Sequence, residues 1–200
     1  NNYFKEDDKI NFSDPVDIIF TKEGDYYILD KKSGWVHKFQ YDGNYLFSIG
    51  RGGVFNLQTF DDKKSSPKNI LSDGYFNNPE GITVDRYGNI FIVDTGNNRI
   101  QKFDNNGNFL LKITNLKNPR GLYADDFLFI ADTGNNLVKK YSTDGTLIGT
   151  FDGLHNSSGF GSDIHSEKNI FLSHPVKILS DEYDRLIILE ETTNKINLVL

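Results

Sequence analysis

The residues able to do chemistry are few and scattered. The histidines are His37, His155, His165 and His174, and the chain has no cysteine. Thiol nucleophiles, Cys-ligated zinc and disulfides are therefore excluded. His155, His165 and His174 could in principle gather a zinc or copper ion. Two of them share one Gly- and Ser-rich stretch, where surface histidines are the commoner outcome, so no metal is expected. His165-Ser166 and Ser173-His174 place a base next to a hydroxyl only in sequence. A catalytic triad is a spatial arrangement, and adjacency does not build one. Asp104-Asn105-Asn106-Gly107 resembles the start of a calcium loop but lacks the later bidentate Glu. Gly50-Arg51-Gly52-Gly53 is glycine-rich but leads into no helix, so it makes no phosphate cradle. Neither a catalytic residue nor a cofactor is expected.

The elements that must position these groups are strands. Aromatic residues are 14% of the 200 residues, with 16 Phe and 10 Tyr, and alanine occurs only at Ala124 and Ala131. That composition suits pleated, half-buried strands and is poor for helices. The strands recur. Asn78-Pro79-Glu80-Gly81-Ile82-Thr83-Val84-Asp85 is echoed by Asn118-Pro119-Arg120-Gly121-Leu122-Tyr123-Ala124-Asp125. Asp14-Pro15-Val16-Asp17 and His174-Pro175-Val176-Lys177 open looser copies. Ile90-Phe91-Ile92-Val93-Asp94-Thr95-Gly96-Asn97-Asn98 matches Leu128-Phe129-Ile130-Ala131-Asp132-Thr133-Gly134-Asn135-Asn136 in phase. A third and a fourth strand follow, joined by Asp42-Gly43, Asn106-Gly107 and Asp144-Gly145, which are strong hairpin turns. Four short strands repeating at roughly 40 residues are the signature of a propeller blade. The second strand is apolar enough to be buried on both faces. The third alternates and is expected to be less deeply buried.

The run from Asn78 to Asp85, with Gly88-Asn89 to Phe103, resembles the NHL-repeat family. The resemblance is closest over residues 76–141 and looser in the outer copies. It implies an all-β fold: a β-propeller of four-stranded antiparallel blades, with about six blades in the full ring. The expected organisation is a lead-in at 1–11, blade 1 at 12–50, an insert at 51–75, blade 2 at 76–115 and blade 3 at 116–151. A second insert at 152–171 and an incomplete blade 4 at 172–200 complete it. Fewer than four blades leave strand edges open. The chain is then expected to be part of a larger propeller, an arc completed by a partner, or a small irregular ring. Some enzymes of this family hold zinc through a His after the blade-opening proline. Val16, Glu80, Arg120 and Val176 stand there instead.

Asp30, Asp94 and Asp132 are expected to be turn residues whose carboxylates accept nearby backbone N–H groups, and Asp85 and Asp181 likewise. The more informative positions vary on the repeated frame. Asp17, Glu80, Arg120 and Lys177 begin the innermost strands and should ring the mouth of the central channel with mixed charge. Trp35, the only tryptophan, starts a third strand and is expected to pack against the neighbouring blade, with a partly exposed interface anchor as the alternative. The first insert carries Arg51 and the aromatic residues Phe55, Phe60 and Tyr75, apolar groups that must pack on something.

The expected function is a non-catalytic protein-interaction or scaffold module, working through the channel mouth and the inserts. Its partner would be another protein or the remaining blades of a longer chain, with a homo-oligomer through open blade edges as a further outcome. A lyase or hydrolase centred on the channel is the alternative, and RNA binding the third. The net charge of −6 weighs against nucleic acid. No stretch is apolar enough for a membrane helix. The Asn-, Lys- and Ile-rich, Ala-poor composition points to an AT-rich bacterial genome, and the resemblance to exported bacterial chains of this kind implies the periplasm or cell surface, the cytoplasm being the alternative.

Overall fold

A computed structural model describes residues 10–51, 53–55, 71–153, 172–181, 185–191 and 196–199. The strands fall into sheets of consecutive antiparallel neighbours, as short hairpin turns dictate. The first sheet is β1 (Pro15–Phe20), β2 (Tyr26–Asp30), β3 (Trp35–Phe39), β4 (Tyr45–Gly50) and β5 (Gly53–Phe55). The second is β6 (Gly81–Val84), β7 (Ile90–Asp94), β8 (Arg99–Phe103) and β9 (Phe109–Ile113). The third is β10 (Leu122–Ala124), β11 (Phe127–Asp132), β12 (Leu137–Ser142) and β13 (Leu147–Phe151). The fourth is β14 (Pro175–Ser180), β15 (Leu186–Glu190) and β16 (Ile196–Val199). The insert after blade 1 thus begins by adding a fifth strand to that blade.

The blades share one construction. Each buries an acid at the end of its second strand and clamps with it the segment entering its first strand. Asp30 accepts from Ser13 N and Asp14 N, Asp94 from Asn77 N, Asp132 from Lys117 N, and Glu190 from Ser173 N. These acids were expected to serve only their own turns. Their main partners instead lie 15 to 17 residues upstream. Asp85 caps its hairpin as expected, accepting from Tyr87 N and Asn89 N. Asp104 does the same for Asn106 N and Asn108 N, so the calcium-like run is a turn. In the third copy, Asp125 and Asp126 form the tight turn. Asn98 and Asn136 take left-handed φ of 53° and 56°, which Asn tolerates.

The apolar core lies between blades. Tyr27, Leu29, Val36 and Ile49 meet Phe76, Ile82, Ile90 and Ile92 across the seam of blades 1 and 2. Phe91, Val93 and Ile100 meet Leu122, Leu128 and Ile130 between blades 2 and 3. Val138 and Phe151 meet Ile178 and Ile188 between blades 3 and 4. Hydrogen bonds reinforce these seams at one end: Thr95 Oγ1 donates to Pro119 O, and Thr133 Oγ1 to Pro175 O. Asn98 and Asn136 accept from Asn118 N and His174 N of the following blades.

One expectation fails. β8 is buried along its whole length, Arg99, Gln101 and Lys102 included. Its polar groups are satisfied internally. Arg99 binds Asp94 and the carbonyls of Leu71, Ser72 and Tyr75, and Gln101 binds Tyr75 O and Gly74 N. The end of the first insert therefore roofs this strand, and alternation in type does not become alternation in exposure.

Candidate functional site

The mouth residues come together as expected of innermost strands, and they pair with one another. Lys177 Nζ reaches both oxygens of Asp17, at 2.8 and 2.9 Å, joining blade 4 to blade 1. Asp17 also accepts from Ile82 N of blade 2. Arg120 Nε donates to Glu80 Oε2 at 2.6 Å. In blades 1 and 4 the register shifts just after the opening proline, between Pro15 and Asp17 and between Pro175 and Lys177. That shift brings the second residue after those prolines into play, whereas blades 2 and 3 use the first.

Two further residues complete the network, and sequence reasoning passed over both. Lys31 Nζ donates to Glu80 Oε1, and Arg120 donates to Glu191 Oε2, each at 2.6 Å. Lys31 and Glu191 follow the buried acids Asp30 and Glu190, where blades 2 and 3 carry Thr95 and Thr133. That departure from the repeat was the available signal. The rim holds Lys31, Arg120 and Lys177 against Asp17, Glu80 and Glu191, so its charges balance. Burial works against ionising Glu80. Hydrogen bonds from Lys31 and Arg120, with their charges, outweigh it and hold the carboxyl below its usual range.

Trp35 is buried at 4% exposure, a packing residue and not the exposed interface anchor that was the alternative. Its ring lies against the backbone of Gly50 and under the Arg51 guanidinium, 5.4 Å from the ring centroid. Such large apolar area is stabilised by covering it. Tyr75 is half-buried and contributes its carbonyl to β8. The backbone of Phe55 belongs to β5; its side chain lies outside the described residues, as do Phe60, His155 and His165.

A Ser–His pair is present where sequence adjacency did not suggest one. His37 Nδ1 lies 2.6 Å from Ser48 Oγ, directly across β3 and β4, and Tyr45 Oη lies 2.8 Å from the same hydroxyl. Burial pushes the imidazole down to about 4, partly opposed by Asp30. His37 and Ser48 are closed off at 3% and 0% exposure, with Phe12 edge-on against the ring. A nucleophile must meet its substrate, and this one is sealed. His174 is exposed beside Ser173. Among the described residues no three His, Asp or Glu side chains gather to hold a metal.

The outer blades expose apolar surface. Val16, Ile18 and Phe20 stand on the face of β1 turned away from blade 2, with Phe20 at 62% exposure. Leu179 and Leu189 do so on the far side of blade 4. Equivalent faces between blades are core.

The profile of the NHL repeat matches residues 76–103. The chain carries an NHL repeat within an arc of β-propeller blades. Solved structures agree on the fold. A streptogramin B lyase is 17% identical, with a TM-score of 0.55, over 90% of this chain and 52% of that one. Hydrazine synthase from Kuenenia stuttgartiensis is 11% identical, with a TM-score of 0.63, over 95% of this chain and 46% of its own. U3-55K is 12% identical, with a TM-score of 0.55, over 90% of this chain and 50% of its own. The chain thus spans about half the length of the structures it matches. At such identities the likeness concerns the fold alone. No curated protein matches in sequence.

Proposed function

We propose that this NHL arc is a non-catalytic protein-interaction module that meets its partner through the mouth face and the segments following the fourth strands. The observation that carries this reading is the balanced rim. Three cations and three carboxylates are locked together across all four blades. A rim of mixed sign, already ordered by its own ion pairs, suits a protein surface of complementary pattern. A polyanion such as RNA would meet Asp17, Glu80 and Glu191, with the opposing cations already engaged. Channel chemistry would need a free acid or base, and these groups are spent on each other. The exposed apolar faces of blades 1 and 4 suit further blades or a partner seated beside them.

The test is cross-linking in the source cells, purification of the captured protein, and measurement of its affinity for wild type, Arg120→Glu and Lys177→Gln. Both variants should weaken binding by about tenfold or more while thermal unfolding stays cooperative. Equal affinity of all three chains would refute the mouth as the docking surface. Turnover of a small substrate that these variants abolish would make the channel an active site instead.

A further inference from the structure

The seam between blades 1 and 2 is built differently from the seam between blades 2 and 3. Blades 1 to 3 each carry a lysine in the third strand, facing the next blade: Lys38, Lys102 and Lys140. Lys102 crosses its seam and donates to Thr143 O of the next blade at 2.7 Å. Alongside it, Arg86 on the hairpin between β6 and β7 binds Asp125 and Asp126 of blade 3. These contacts close the blade 2–3 seam at the end remote from the mouth.

Neither closure is made one blade earlier. Lys38 lies over the rings of Tyr27 and Phe47, at 5.3 and 5.5 Å, and pairs with Asp25 at 3.8 Å, with Glu23 a more distant carboxylate. It does not reach Asn105, which stands where blade 3 has Thr143. Lys22 stands where blade 2 has Arg86, but the counterparts of Asp125 and Asp126 across its seam are Asp85, whose carboxylate caps its own turn, and Arg86, a cation. A cavity of about 380 Å³ opens here, lined by Thr21, Lys22, Asp25, Tyr27, Lys38 and the Asp85–Gly88 hairpin, among others.

Polar groups in this cavity are unspent. Thr21 Oγ1 is buried with only the Glu23 carboxylate beside it and no well-formed hydrogen bond, where the equivalent Asp85 caps its turn with both oxygens. Tyr27 is 1% exposed and lines the cavity. A buried hydroxyl without a partner costs free energy that a ligand can recover. Lys38 at 3.8 Å from Asp25 leaves room for a group that accepts from one and donates to the other.

We propose that this cavity binds a neutral polyhydroxylated ligand, a single saccharide unit or the terminal unit of a glycan. Sugar hydroxyls both donate and accept, as Thr21, Tyr27 and the Lys38–Asp25 pair together require. The lining balances Lys22, Lys38 and Arg86 against Glu23, Asp25 and Asp85, which favours a neutral ligand over an anion or a cation. Tyr87, 70% exposed at the rim, offers an aromatic face to the C–H side of a pyranose ring. The volume falls near the lower end of the roughly 300–1,000 Å³ of small-molecule sites.

The test uses the full chain with methyl α-glucoside, methyl α-galactoside and N-acetylglucosamine, by saturation-transfer NMR and calorimetry, with inorganic phosphate and acetate as anionic probes. At least one sugar should bind saturably, and neither anion should. Tyr27→Phe keeps the buried ring and should weaken binding several-fold. Lys38→Met keeps the aliphatic stem and should weaken it about tenfold. Lys112→Gln, whose pair with Asp73 is no part of the cavity lining or of the mouth, should leave sugar binding unchanged. Failure of all three sugars, phosphate or acetate binding in their place, or unaltered affinity in both cavity variants would each overturn the proposal.

Discussion

Replacing Asp94 by alanine should be among the costliest single changes in the chain. The carboxylate has no exposure and accepts four hydrogen bonds, from Asn77 N at 2.6 Å, Asn97 Nδ2 at 2.9 Å, Arg99 Nε at 2.6 Å and Gln101 Nε2 at 3.1 Å. Its removal leaves the Arg99 guanidinium, 5% exposed, among the neutral carbonyls of residues 71, 72 and 75. Breaking a buried ion pair by deleting one partner costs about 3–5 kcal/mol. The orphaned Asn77 N–H adds about 1 kcal/mol. The three carbonyl contacts, with Asp73 at 3.6 Å, hold the charge term toward its lower end, so about 4 kcal/mol in all is expected. That is a large share of the roughly 5–15 kcal/mol available to a domain. Urea unfolding followed by circular dichroism measures it, with fluorescence of Trp35 reporting blade 1 separately. Asp94→Asn should recover about half, since the amide still accepts from Asn77 but carries no charge for Arg99. Asp94→Ala with Arg99→Leu should be more stable than Asp94→Ala alone, because the stranded charge is gone. A loss below about 1 kcal/mol in Asp94→Ala, or no recovery in the double variant, would refute the reasoning.

Two further outcomes follow from packing and burial. His37 is held near 4 by burial, against about 6.5 in an unfolded chain. A lowered value means the unfolded chain takes up the proton first as pH falls. The contribution of His37 is therefore complete above about pH 6.5 and is lost by about 3 kcal/mol on descending to about pH 4. Denaturation at points across that window should show this slope in the wild type, and His37→Gln should remove that part of it. Gly121→Ala would place a methyl 2.5 Å from Val176 O and 2.7 Å from Lys177 Cα, where the inner strands of blades 3 and 4 approach. Backbone cannot yield as a side-chain tip can, so a loss of about 1–3 kcal/mol in thermal unfolding is expected.

The frame was legible because a repeated blade writes its turns and apolar strands several times over. Asp42-Gly43, Asn106-Gly107 and Asp144-Gly145 fix hairpins by φ requirements that few residues meet. Burial of polar residues was not legible in the same way. Gln101 alternates with Ile100 as a surface residue would, and its burial rests on hydrogen bonds with Gly74 N, Tyr75 O and Asp94, which no local pattern shows. Trp35 was legible as a packing residue, but its cover by Gly50 and Arg51 across the hairpin was not. The mouth was half legible. Proline phase located Asp17, Glu80, Arg120 and Lys177, but pairing Asp17 with Lys177 depends on the curvature of the arc, which no local pattern encodes.

The variable positions of this repeat decide which seams are fastened and at which end. After the buried acid, a threonine in blades 2 and 3 fastens the seam to the next proline carbonyl. Blade 1 puts Lys31 there and fastens the same seam through Glu80 by charge. Blades 1 and 2 are therefore held at the mouth, by Lys31–Glu80 and by Asp17 on Ile82 N, and along the middle by their shared apolar core. Their far end alone is open, with Lys38 and Lys22 standing where Lys102 and Arg86 close the following seam. A seam that was loose throughout would be a packing defect and would be expected to collapse on its unpaired groups. A wedge pinned at two of its three levels cannot collapse in that way, so the cavity between Tyr27, Lys38 and the Asp85–Gly88 hairpin keeps its shape without a ligand. Preorganisation of that kind separates a binding site from a gap, because the ordering cost is met in folding and not at the moment of binding.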